Sequence, residues 1–381
     1  MNSSTPPLPR PARRDRPVRV GLVGLSARGG WASQAHVPAL ARLPGYELRA
    51  LSASGDASAR AAGTAYGVPL AFGSTAELVR SDDVDLVVVS VRVPLHREVI
   101  LGALGAGKAV LSEWPLGNGL AEARELAAAA DRAGVRTFAG LQARSAPGVR
   151  YVRDLVADGY VGEVLSTSLV ASGRRWGPVF EPGGAYLLDR ANGGTMLTIP
   201  FGHTVDALAL VLGEFTEVSA TLATRRPVVH EEGTGRAAPM TVDDQIAVSG
   251  RLASGAVASV HFRAGLSRGT DFHWEINGTA GDLVVTAASG HLQQAAPRVR
   301  GGRGPDTGLA ELPVPDRYFD VPELDDLRGL PGYNVGAQYA RVLADLTGGG
   351  THAPDFAHAA RRQALLDAIE RSAATGARVT L

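Results

Sequence analysis

Between Val18 and Leu141, short runs rich in β-branched residues alternate with alanine-rich stretches, which restricts this part of the chain to parallel strands joined by crossover helices. VRVGLVG reads as the first strand, residues 32–43 as a helix, YELRALSA as the second strand and residues 57–66 as the next helix. VDLVVVSV is an apolar run of the kind buried on both faces of a sheet. HREVILGALGAG predicts a helix that ends in glycine, followed by the strand AVLSE, a helix over residues 120–133 and the strand VRTFAGL.

The texture changes after Leu141. A helix near residues 147–158 precedes segments of clearer alternation: EVLSTSLVAS, FTEVSATLAT, DQIAVSGRLA, AVASVHFRAG, DFHWEING and GDLVVTA. Turn residues such as Ala253-Ser254-Gly255 and Gly278-Thr279-Ala280-Gly281 separate them, which predicts a mostly antiparallel sheet with one face covered by helices. Residues 295–332, rich in Gly, Pro and Asp, predict a long loop or an interface arm. Helices near 334–346 and 356–374 close the chain, packing back on a second domain that spans residues 142–381.

With 381 residues, 45% of them hydrophobic, the chain can bury a core in each of two domains. Lys+Arg and Asp+Glu both number 38, so a nucleic-acid-binding surface has no support from charge, and any regulatory role would work through a protein partner. The absence of cysteine excludes disulfides, thiolate nucleophiles and Cys-ligated zinc. The nine histidines form no HxxxH or His/carboxylate pattern, so no metal is expected. Residues 1–17 read as a disordered tail: Arg13-Arg14 is not followed by the hydrophobic stretch of an export signal. No run of 18 apolar residues marks a membrane span, and a cytoplasmic location is the default expectation.

Gly24-Leu25-Ser26-Ala27-Arg28-Gly29 follows the first strand and opens a helix, the place of a Rossmann glycine loop, with Ser26 at the middle glycine. Small residues are needed there so that backbone N–H groups and the helix N-terminus can approach a pyrophosphate. The alternative is a tight strand-to-helix turn with no ligand. Ala27, Gly30 and Trp31 extend the candidate contacts. Strand two runs Leu51-Ser52-Ala53-Ser54-Gly55 before Asp56, so its end lacks the carboxylate that would hold the ribose hydroxyls of NAD. NADP is therefore favoured over NAD, with Ser52, Ser54 or Arg28 as contacts, unless the serines only form the turn.

The segments GLVGLSARGGWA, VRVPLHREVILGALGAGKAVLSEWPL, GLQARSAP and NGGTMLTIPFGHTVD, in this order and spacing, resemble the Gfo/Idh/MocA oxidoreductase family, most closely the branch that holds the galactose-regulon repressor of yeasts. The resemblance implies a doubly wound Rossmann domain and a C-terminal α/β domain with a large, mostly antiparallel open sheet that often forms the interface of a homodimer or higher homo-oligomer. It places Val91, Glu113 and Pro115 near the cofactor, with Pro115 a candidate for a cis peptide. Where the family's dehydrogenases read Glu-Lys-Pro, this chain reads Glu113-Trp114-Pro115, and Ile199 stands at the usual catalytic aspartate. Trp114 is counted with both cofactor and substrate contacts. His203 keeps its place as acid or base, or is a satisfied core residue beside Asp206. His96 is a capping or packing residue near the cofactor. Gln142 and Arg144 bind a ligand or, for the arginine, bridge an internal carboxylate. Arg174, Arg175 and Trp176 border the pocket, and Tyr186 is either a phenolic proton donor or a packing aromatic.

Two functions follow. The first is an NAD(P)-dependent oxidoreductase with altered proton handling, acting on a small, apolar or cyclic hydroxyl or carbonyl compound, with His203 and Tyr186 as the proton carriers. The second is a cofactor-binding regulator without turnover, which the missing lysine and aspartate fit. A non-redox reaction on the same fold, with His203 as base, is a weaker third.

Overall fold

The runs of the first third pair in parallel as expected. The computed structural model describes residues 16–381, so the expected tail falls almost wholly outside the described residues. Strands β1 (Val18–Val23), β2 (Tyr46–Ser52), β3 (Leu70–Phe72), β4 (Leu86–Val89), β5 (Ala109–Glu113) and β6 (Thr137–Gly140) form one parallel sheet in the order β3-β2-β1-β4-β5-β6. Every residue of β4 is buried, as its unbroken apolar run requires. The short strand β3 and the six-residue helix after it, Thr75–Arg80, were not expected, because three residues are too few to show a period.

The helix expected over residues 32–43 is a π-helical turn, Ala32–His36, continued by the α-helix Val37–Leu40. Pro38 has no N–H to give to the carbonyl of Gln34, which disfavours a regular first turn. The other connections are α-helical: Asp56–Tyr66, His96–Gly105 and Leu120–Ala133.

The described residues form two compact units, one of residues 16–142 with 320–363, the other of residues 143–319 with 364–381. The helix Pro331–Gly348, expected to pack back on the second domain, therefore belongs with the first unit. Tyr339 on that helix explains the placement. Its ring meets Tyr46 edge-on at 5.1 Å, its carbonyl accepts a hydrogen bond from the Tyr46 hydroxyl at 2.8 Å, and its own hydroxyl lies 2.8 Å from Nδ1 of the fully buried His36.

In the second unit, β7 (Val164–Gly173), β9 (Phe215–Ala223), β12 (Gln245–Leu252), β13 (Val257–Ala264), β14 (Phe272–Gly278) and β15 (Gly281–Ala287) are the alternating segments of the sequence. With β16 (Arg298–Arg303), β17 (Ala310–Glu311) and β18 (Val379–Thr380) they make a sheet in the order β17-β16-β15-β14-β7-β13-β12-β9-β18, antiparallel except for β7 with β13. Buried and exposed positions alternate along β12 and β13, the pattern of a sheet with one covered face. A smaller sheet, β11-β10-β8, joins Ala237–Pro239, Val228–Glu231 and Val179–Phe180.

The expectation of a long loop over residues 295–332 is corrected. RVRGGR pairs with β15 despite its two glycines, and Tyr318 docks on the helix Pro147–Ala157 through a 2.9 Å hydrogen bond to buried Asp154.

Tyr339→Phe removes the hydroxyl beside His36 Nδ1 and leaves a buried ring nitrogen without its partner, so it should cost about 1–3 kcal/mol in urea denaturation. An unchanged midpoint would show that this contact does not hold the helix to its unit.

Candidate functional site

Three strand ends meet at Gly24. Its N–H donates to Ser52 O at 3.0 Å, its φ is +97°, and a Cβ added there would lie 2.4 Å from Ser90 O and 2.9 Å from Val91 Cγ1. Only glycine fits that backbone and that space. The turn beyond it is held by Ser26: its hydroxyl accepts from Arg28 N at 3.2 Å, its carbonyl from Gly29 N at 3.1 Å and from the Tyr66 hydroxyl at 3.0 Å. The serine at the middle glycine is thus part of the loop's own bonding. Ala27, Arg28, Gly29 and Gly30 stay exposed, and a cavity of 530 Å³ opens from Ser26, Ala27 and Arg28 to Gly55, Asp56 and Ser58 at the start of the next helix. The Arg28 side chain makes no hydrogen bond or ion pair among the described residues. Ser54 Oγ lies 3.3 Å from Ser58 Oγ at the same mouth, whereas Ser52 is buried with its hydroxyl 3.4 Å from Thr75 Oγ1. An open loop rich in small residues at a strand end fits a dinucleotide pyrophosphate.

Glu113, the last residue of β5, is a hub. Trp31 Nε1 donates to Oε2 at 2.8 Å, and Gln142 Nε2 donates to Oε1 at 2.7 Å. His36 Nε2 lies 3.1 Å from Oε1, so a proton on Nε2 serves the carboxylate and leaves Nδ1 to accept from Tyr339. A Cβ at Gly140 would come 2.7 Å from Glu113 Oε1. His36 and Tyr339 carry no local signal in the sequence, since the pair lies 303 residues apart. Gln142 is 1% exposed, and its Oε1 has no hydrogen-bond partner among the described residues, an acceptor left for a ligand donor. Trp114 follows the hub, buried and joined to Pro115 by a cis peptide. Buried His96 lies with Nε2 3.1 Å from Val91 O and Nδ1 3.3 Å from Leu116 O, and burial pushes its pKa down, so it acts as a neutral pin.

The second unit carries the other candidates. Thr195 and Thr198 cap one another through hydroxyls and backbone N–H groups, and the π-helical turn Leu197–Phe201 follows. Pro200 has no N–H for Met196 O, which Phe201 N takes instead at 3.1 Å. The turn feeds the helix Gly202–Leu212, in which His203 is 3% exposed and Asp206 is fully buried. Arg144 Nη1 reaches the Asp206 carboxylate at 3.3 Å, so of the two readings left open for this arginine the internal bridge is the one observed. Gly194 lies between Tyr186 and Ile199: a Cβ there would be 3.7 Å from Tyr186 Cε2 and 3.8 Å from Ile199 Cδ1.

Arg174 and Arg175 are exposed, and Arg175 pairs with Glu181 at 3.7 Å. Trp176 is 3% exposed at φ +60°, a conformation that costs a bulky residue about 1–3 kcal/mol, and its Nε1 donates to Leu187 O at 2.8 Å. Its ring lies parallel to that of His291, with 6.4 Å between centroids. No motif in the sequence marks His291. It is 7% exposed, and burial, with His203, Arg175 and Arg174 nearby, pushes its pKa down to about 3.

His291 and His96 are therefore neutral in the fold, whereas in the unfolded chain they bind protons below an ordinary pKa of about 6.5. Stability should be complete above about pH 7 and fall as the pH drops toward 4, with His291 alone losing about 2 kcal/mol between pH 7 and pH 5. Urea midpoints at the two pH values should differ, and His291→Phe should narrow the difference; a pH-independent midpoint would contradict the assignment.

Residues 18–141 match the oxidoreductase family with an NAD-binding Rossmann fold, GFO_IDH_MocA, and residues 147–287 match the C-terminal domain of Gal80p. The dehydrogenase aclE of Aspergillus oryzae is 38% identical over 209 residues, 53% of this chain and 57% of that protein's length. The 1,5-anhydro-D-fructose reductase of Ensifer adhaerens is 30% identical over 70% of this chain and 75% of the reductase. Among solved structures, a super-repressor mutant of Gal80p from Saccharomyces cerevisiae shares the fold with a TM-score of 0.85 at 23% identity, covering 96% of this chain and 98% of that one. Levoglucosan dehydrogenase in complex with NADH and levoglucosan does so with a TM-score of 0.82 at 21% identity, covering 96% and 99%. The chain belongs to the Gfo/Idh/MocA family of NAD-binding oxidoreductases and carries a C-terminal domain of the Gal80p type.

Proposed function

We propose that this protein is an NADPH-preferring oxidoreductase acting on the hydroxyl or carbonyl group of a small cyclic or apolar compound. The observation that carries the reading is the exposed segment Ala27–Gly30 of the glycine loop, opening into a cavity where the Arg28 side chain has no partner among the described residues. The bound cofactor supplies or takes the hydride. The chain's own residues do the rest. The backbone N–H groups of Ala27 and Gly30, beside the two that Ser26 takes, face the pyrophosphate, and Arg28, with Ser54 and Ser58, meets the 2′-phosphate. Gln142 Oε1 accepts from the cofactor's nicotinamide end beside Glu113. His203 takes the proton of a substrate hydroxyl in oxidation and returns it to a carbonyl oxygen in reduction, and Tyr186 is the candidate second donor. Trp114, where the resembling dehydrogenases carry lysine, supplies an aromatic surface and no charge, in keeping with a substrate less polar than a sugar.

A second reading is a cofactor-binding regulator without turnover. It is favoured by Trp114 and Ile199 at the family's lysine and aspartate positions, together with the C-terminal match to Gal80p.

Steady-state assays with NADPH and a panel of cyclic ketones and hydroxyl compounds separate the two. The oxidoreductase reading expects turnover, lost by about 100-fold or more in His203→Ala while cofactor affinity is kept. Cofactor binding with no turnover on any compound would select the regulator. Arg28→Ala should weaken NADPH by about tenfold and leave NADH unchanged, because it removes a charge-assisted contact that only the 2′-phosphate can make; equal loss for both cofactors would refute the preference.

A further inference from the structure

Residues 25–30 of the glycine loop bond mainly to their own neighbours. Ser26 takes the N–H groups of Arg28 and Gly29, and Gly30 O accepts from Gln34 N at 3.1 Å and from Ser33 Oγ at 2.9 Å. Packing adds little. Gly29 and Gly30 have φ of +95° and +133°, and a Cβ at Gly30 would meet nothing within 4 Å. Glycine has the most backbone freedom of any residue, so two in succession on an exposed turn leave its conformation to whatever grips it from outside. Among the described residues, one hydrogen bond ties residues 25–30 to a distant element: the Tyr66 hydroxyl donates to Ser26 O at 3.0 Å.

Tyr66 is the last residue of the helix Asp56–Tyr66, whose first turn, through Asp56 and Ser58, lines the 530 Å³ cavity together with Ser26, Ala27 and Arg28. The helix is seated on its sheet: Ala59, Ala62 and Gly63 are buried, and a Cβ at Gly63 would come 3.0 Å from Ala71 Cβ. One fixed element therefore supplies a wall of the cavity at its N-terminal end and, at its C-terminal end, the tie for the loop that forms the other wall. Ser26 passes the tie on, since the two N–H groups it accepts belong to Arg28 and Gly29.

We infer that Tyr66 is a positioning residue for the dinucleotide, whose hydroxyl holds the glycine loop so that the Ala27 and Gly30 N–H groups and the Arg28 side chain face the cavity. This rests on the reading that a dinucleotide binds there. The hydroxyl grips a backbone carbonyl, so it acts on the population of one loop conformation and not on any contact with the ligand. Losing one neutral hydrogen bond of this kind lowers the binding-competent fraction, and with it the apparent affinity, by about fivefold. NADPH and NADH need the same loop, so both lose alike, unlike in Arg28→Ala.

The test compares the full wild-type chain with Tyr66→Phe. Hydrogen exchange of the Arg28 and Gly29 amides is followed without cofactor, and calorimetry measures NADPH and NADH. Tyr66→Phe should speed exchange at both amides and weaken both cofactors by about fivefold. Placing 4-aminophenylalanine at residue 66, which keeps a donor at a similar reach, should recover the affinity. Loop exchange and both affinities unchanged, whatever the Tm, would make Tyr66 a structural residue of its helix and overturn the inference. A loss confined to NADPH would overturn it too, because it would make Tyr66 a phosphate contact. Failure of both cofactors to bind wild type would count against the dinucleotide reading instead, and the exchange comparison would still decide whether Tyr66 holds the loop.

Discussion

Glu113 is the interaction on which the nucleotide-binding unit depends. One carboxylate at the end of β5 takes hydrogen bonds from Trp31 and His36, just after the glycine loop, and from Gln142, just after β6. Through His36 it reaches Tyr339, which lies 303 residues from that histidine in the chain. Charge-assisted hydrogen bonds are stronger than neutral ones, and this carboxylate is only partly exposed, so the three donors fix its rotamer and each other's. The glycine loop and the segment of Trp114 and Pro115 are therefore braced against the same group. Gly140 matters for a steric reason, because any side chain there would displace the carboxylate.

The second unit solves a different problem. Its sheet and helices pair several of the polar groups they bury: Trp274 Nε1 donates to Thr167 Oγ1, which itself donates to Glu275 O, and Arg144 neutralises Asp206. Ile199 and Tyr186 close around Gly194 in the same unit, which makes that neighbourhood apolar where the family's dehydrogenases place a carboxylate.

Much of this was legible in the sequence, for identifiable reasons. β-Branched runs such as LVVV and the alternation of QIAVSGRL report burial on two faces and on one, so both sheets could be read locally. LAF was too short, and RVRGGR was hidden by glycines whose low strand propensity is overridden by pairing with β15. The glycine loop, Trp31, Glu113 and Gln142 could be singled out because they sit at fixed places in a motif, and the last three meet at one carboxylate. His36, Tyr339 and His291 were not, since their roles arise from contacts between distant segments. Ser52 was read as a cofactor contact from its place at a strand end, but its hydroxyl is buried against Thr75.

The central claim is that a dinucleotide binds to a loop whose geometry the Glu113 carboxylate maintains. Calorimetric titration of NADPH into the wild-type chain and into Glu113→Gln tests it most directly. The account predicts saturable binding to wild type and affinity weakened by about tenfold in the variant, whose neutral amide cannot accept three donors as the carboxylate does. No binding to wild type, or equal affinity in the two proteins, would contradict it.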